Sequence, residues 1–147
     1  MAIDRRSWIL GGILAGLIMN VSGVVLGHAV LGEEYIGAMR SHMASPPSIV
    51  TVVKNIGLRL EFGLLAVFLY AGFRPRFGPG PKTAVVAGVV LWLAAHLPAA
   101  IALSNFGILT GWRLWIGLAW TLAEACVATV AGAWIYREWV EGAEQAT

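Results

Sequence analysis

The sequence predicts an all-α integral membrane protein, a four-helix bundle of two antiparallel hairpins with the N and C termini both cytoplasmic. Three observations predict it. Of the 147 residues 59% are apolar and 12% charged, where a soluble domain carries about 25% charged residues. Four apolar segments, 8–31, 49–73, 83–108 and 112–136, each reach the roughly 20 residues that cross a hydrocarbon core. Finally, Lys and Arg near the segment ends are unevenly shared. Arg5, Arg6, Arg74, Arg76, Lys82 and Arg137 fall on one side, Arg40 and Arg113 on the other, and the richer side is expected in the cytoplasm.

The first span follows Arg5-Arg6 and imitates a signal peptide, ending at Gly27-His28-Ala29. Its run from Trp8 to Leu31 exceeds the usual signal core of about 7 to 15 residues, so it is expected to persist as a helix. The outer loop 32–48 carries Tyr35, Ile36, Met39 and Met43 at helical spacing, predicting a short surface helix. Pro46-Pro47 punctuates the start of the second span. A stiff turn from Arg74 to Lys82 and a very short third link make adjacent spans antiparallel neighbours in a single transmembrane domain over 1–147. Aromatic residues mark the two expected interfaces: Trp8, Phe73, Phe77, Trp134, Tyr136 and Trp139 inside, Tyr35, Trp112 and Trp115 outside.

Small residues let helix backbones approach in lipid. Gly12, Gly16, Gly23 and Gly27, with Asn20, form one stripe on the first span, and Gly117, Thr121, Glu124, Ala128 and Ala131 form another on the fourth. Both stripes are expected to face the bundle interior. A weak internal repeat aligns Gly12 with Gly88 and Asn20 with His96 at an offset of 76, and Glu61 with Glu124 at an offset of 63. Its use is in depth. Asn20, His96, Glu61 and Glu124 each lie 13 or 14 residues from an inner basic anchor, roughly 20 Å along a helix and close to the bilayer midplane.

Ionisable groups at that depth are costly and mark candidate sites. Three readings stay open for Glu61, Glu124, His96 and Asn20: a small cation or metal held by carboxylate and imidazole, a protonatable relay, or a structural hydrogen-bond layer. The Glu-x-x-His repeat of carboxylate-bridged metal bundles is absent. Lys54 shares the helix face of Glu61, seven residues away, whereas Arg59 points elsewhere and is free to pair with Glu124, leaving a satisfied ion pair. Pro98 removes the amide that would bond to the carbonyl of Ala94, two residues from His96.

A haem between paired histidines is disfavoured, because His28 and His96 differ in depth by about 12 Å; a single-histidine haem or pigment at His28 or His96 stays open. No cofactor is required by the sequence. The lone Cys126 sits in an apolar stretch and reads as a packed thiol. With no phosphate-binding glycine loop or catalytic triad, the chain is expected not to be an enzyme. Its scattered cations argue against nucleic acid as a partner despite a net charge of +2.

Gly88, Trp92, Pro98, Asn105, Gly111 and the stretch from Trp120 to Arg137 resemble small four-span bacterial membrane proteins known only as domains of unknown function. The resemblance implies an inner-membrane protein and assigns no catalytic residue. The leading expectation is a midplane Glu61/Glu124/His96/Asn20 cluster that binds or relays a proton or small cation, with Lys54 and Arg59 as charge partners, in a homo-oligomer or larger complex within the lipid bilayer. The alternative is a non-catalytic accessory subunit of a larger membrane complex, with or without haem or pigment.

Overall fold

The computed structural model describes residues 4–144, with side chains over 4–136, and is helical throughout its regular structure. Arg137 and Trp139, invoked above as anchor and belt residues, have side chains outside the described set. Helix α1 is Arg5–Val25, followed without interruption by a π-helical turn, Leu26–Leu31. Asp4 caps α1, its carboxylate accepting from the Ser7 amide at 3.1 Å, which satisfies one of the open N–H groups of the first turn. At Gly32 the backbone takes φ 77°, a conformation that costs glycine little, and α2, Gly32–Ser41, begins there. This is the expected surface helix; it buries none of its residues.

Helix α3, Ile49–Phe77, starts with a capping box in which Ser48 and Thr51 bond reciprocally. It continues a turn beyond the expected span end, through Pro75, so the stiff connection narrows to residues 78–80, where Gly78 and Gly80 both have positive φ. Helix α4, Pro81–Leu91, opens on proline, then widens into a π-helical turn, Trp92–His96, before α5, Leu97–Asn105. Pro98 explains the widening: it has no amide for the i−4 carbonyl, and a π turn absorbs that mismatch. Its last bond runs from the Leu97 amide to the Trp92 carbonyl. Helix α6 is Trp112–Glu144. Four helical stretches, Arg5–Ser41, Ile49–Phe77, Pro81–Asn105 and Trp112–Tyr136, are long and apolar enough to cross a membrane.

Helix α1 packs most extensively on α3 and α6, and α4 on α6. Glycines set these distances. A Cβ on Gly12 would lie 2.7 Å from the Leu64 Cα, and one on Gly16 2.7 Å from the Leu60 Cα, so both positions must lack a side chain for α1 and α3 to meet. Trp8 ties the same pair, its indole N–H donating to the Leu64 carbonyl at 2.8 Å. One apolar cluster joins Met19, Val67, Tyr70, Leu91 and Ala128; a second joins Leu26, Leu31, Ala100 and Leu109. Along α1, the α4–α5 stretch and α6, the polar residues Ser22, His96 and Glu124 fall between the two.

Candidate functional site

Among the described residues, Glu124 is the acidic or basic side chain that is buried. Its side chain is 1% exposed, and Oε1 accepts from Arg59 Nη1 at 3.2 Å. Arg59 reaches it from α3 and donates from the same nitrogen to the Met19 carbonyl of α1 at 2.7 Å. The guanidinium lies directly on Gly23, where a side chain would collide with it. Thus the glycine stripe serves two purposes: Gly12 and Gly16 admit the α3 backbone, and Gly23 admits the tip of Arg59.

His96 enters from the π-helical turn. Its Nε2 stands 3.9 Å from Glu124 Oε1, and Phe62 of α3 packs against the imidazole with ring centroids 5.2 Å apart. One carboxylate oxygen is therefore flanked by a permanent cation and by an imidazole. The other, Oε2, is buried, and so is His96 Nδ1, which has no hydrogen-bond partner. The Ser22 hydroxyl accepts from the Trp120 indole at 2.8 Å and is a hydrogen-bond donor to Glu124. Trp92 donates to Thr121 Oγ1 at 3.1 Å, fastening the π turn to α6 one helical turn from Glu124. Tyr35 of α2 packs against the second apolar cluster, that of Leu26, Leu31, Ala100 and Leu109.

The expected residues divide. Glu124, His96 and Arg59 come together. Asn20 stands beside them without joining: its amide donates to the Gly16 carbonyl at 2.9 Å and the Ile56 carbonyl at 3.4 Å, stitching α1 to α3. Glu61 is exposed on the outer face of α3, as is Lys54. Two residues separate Glu61 from Arg59, a rotation of about 200°, so the helix that aims one at the interior must aim the other away. His28 is exposed and its Nδ1 lies 3.3 Å from the Val24 carbonyl of its own helix. Cys126 is half-buried, its backbone pressed against Gly88.

Ser22, Trp92, Trp120 and Thr121 belong to the site and were not singled out as site residues by sequence reasoning. The signal was spacing: Trp92 precedes His96 by four residues and Trp120 precedes Glu124 by four, positions that share a helix face. Among the described residues, no three His, Cys, Asp or Glu side chains converge as a metal-holding set. No protein-family model, curated protein or solved structure matches the chain; the resemblance noted over Gly88 to Arg137 rests on those residues alone.

Proposed function

We propose that this chain is a multi-pass protein of the bacterial inner membrane, built as two antiparallel hairpins with cytoplasmic termini, in which Glu124 and His96 accept and pass on a proton. The bias of Lys and Arg toward one side supports the orientation. The observation that carries the proton reading is the approach of His96 Nε2 to Glu124 Oε1 at 3.9 Å, with the buried His96 Nδ1 left without a partner, since buried polar atoms are nearly always satisfied and the exceptions mark sites that do something else. A proton needs no coordination shell, whereas a metal or alkali cation here would meet the fixed charge of Arg59 within the same cluster. In this scheme Arg59 holds the carboxylate when Glu124 is ionised and is released toward the Met19 carbonyl when it is protonated. Glu61, on the outer face, plays no part in it.

The test is a pH jump on the reconstituted protein followed by difference infrared spectroscopy, with proton flux measured in the same vesicles. Acidification should raise a carboxylic-acid carbonyl band that is missing in Glu124→Gln, and flux should fall in Glu124→Gln and in His96→Phe. A band that persists unchanged in Glu124→Gln, or flux that neither variant alters, sinks the proposal.

A second reading, an accessory subunit of a larger membrane complex, is favoured by one observation: Glu61 is exposed midway along a span, where a bare carboxylate is costly in lipid. Gentle extraction that yields the chain alone, with no companion at fixed stoichiometry, counts against it.

A further inference from the structure

We infer that the outer face of α3 is a docking surface for a transmembrane helix of a different protein, one that carries a basic side chain at the level of Glu61. This rests on the accessory-subunit reading and is independent of proton chemistry at Glu124.

Lys54, Leu58, Glu61, Leu65, Phe68 and Gly72 are all exposed. They recur at steps of four and three residues, so at about 100° per residue they fall within a stripe about 80° wide running some 27 Å along the helix. That is nearly the thickness of a hydrocarbon core. The opposite face of α3 is the one that packs, through Gly63, Ala66, Val67 and Tyr70. Two glycines on the outward side have no use inside this chain: a Cβ on Gly57 or Gly72 meets nothing within 4 Å. Glycine weakens a helix interior, and in membranes it is favoured where another backbone approaches. Gly12, Gly16, Gly63 and Gly88 are all pressed against neighbouring backbone; Gly57 and Gly72 have the same property with the neighbour supplied from elsewhere.

Charge decides what the neighbour is. Lys54 lies five residues into α3 and its long stem can carry the ammonium out to the interface. Glu61 lies twelve residues in, its side chain is too short for that escape, and no hydrogen bond or ion pair reaches it among the described residues. The face therefore presents, among the described residues, one carboxyl group without a partner at mid-span. A second copy of this chain does not neutralise it. In a side-by-side pair of like orientation, Glu61 faces Glu61 and Lys54 faces Lys54, while Arg59 is engaged by Glu124 and Met19. A helix bearing Lys or Arg at that depth does neutralise it, and the flanking glycines let it come close.

The experiment uses the full chain, with a photo-crosslinking amino acid in place of Leu65, reconstituted in phosphatidylcholine vesicles with synthetic polyleucine transmembrane peptides that carry a central Arg, Gln or Leu. The expected result is at least tenfold more adduct with the Arg peptide than with the Leu peptide, reduced to the Leu level by Glu61→Gln. Glu61→Gln is exposed and should leave helicity unchanged, which circular dichroism checks. Equal labelling of the three peptides, or indifference to Glu61→Gln, overturns the inference. So does a dominant adduct of two copies of the chain, which would assign the face to self-association. A companion protein found on gentle extraction alongside failed peptide capture would leave the accessory reading standing and remove this account of its surface.

Discussion

Arg59 and Glu124 pair at 3.2 Å between α3 and α6, and the same guanidinium nitrogen holds the Met19 carbonyl of α1, so one side chain joins three helices. Removing the cation alone leaves a carboxylate that is 1% exposed with no counter-charge. Truncating one partner of a buried pair costs about 3 to 5 kcal/mol, whereas replacing both can be nearly neutral. Arg59→Met should therefore lower stability by about 3 kcal/mol, and the double variant Arg59→Met/Glu124→Gln should recover most of it. Unfolding in mixed micelles with increasing sodium dodecyl sulfate measures both. If the double variant is as unstable as the single, the pair is not what Arg59 contributes.

The glycines separate into those that pack and those that face outward, and alanine tells them apart. Gly16→Ala pushes a methyl group against the Leu60 backbone, which cannot swing away as a side-chain tip can, and should cost about 1 to 3 kcal/mol. Gly72→Ala meets nothing and, through helix propensity alone, should leave stability unchanged or raise it by about 0.5 to 1 kcal/mol. The same unfolding titration compares them. Equal losses at both positions would mean that the α1–α3 contact is not set by Gly16.

The contrast also shows what could be read in advance. The number of spans, the stripes of α1 and α6 and the surface helix after Leu31 follow from composition and period, which the fold keeps. The azimuth of Glu61 did not follow from counting residues, because Leu, Val and Phe line both faces of α3 and leave little periodicity to separate inside from outside. Arg59 against Glu124 was foreseeable only as one alternative among several, since pairing across helices depends on their rotation. The π turns add a specific obstacle. One extra residue in a turn rotates all that follows by about 100°, so the direction of His96 cannot be projected from Gly88 by ideal helical geometry.

Asp4 gives a pH dependence confined to the start of α1. Its carboxylate is held below the ordinary carboxyl range chiefly by the hydrogen bond from Ser7, with Arg6 assisting. A carboxyl depressed in the folded state adds stability that is present above its unfolded value of about 3.9 and lost as pH falls through the lower folded value. The first turn of α1 should thus be protected at neutral pH and fray on acidification, while Asp4→Asn, which also caps well, should show no such change in acid. Asp4→Ala should weaken the turn by about 1 kcal/mol at neutral pH. Amide exchange at residues 5–8 reads all three; acid-induced fraying in Asp4→Asn equal to that of the parent would assign it to another group.

Helix α2 buries none of its residues, so its place against the π-helical turn depends on few bonds, and Arg113 supplies two of them. Its Nε donates to the Leu31 carbonyl at 3.3 Å, and its terminal nitrogen pairs with Glu34. Glu34 is largely exposed, and an exposed ion pair contributes about 0 to 1 kcal/mol. The bond to Leu31 is different, because it fixes the carbonyl at the end of the π-helical turn, just before the positive-φ Gly32. Arg113→Met removes both bonds and Glu34→Gln weakens only the outer one. Amide exchange over residues 32–41 should accordingly rise several-fold in Arg113→Met and little in Glu34→Gln, with α3 and α6 unaffected in either. An equal response in the two variants would show that the Glu34 pair, and not the Leu31 carbonyl, holds α2 in place.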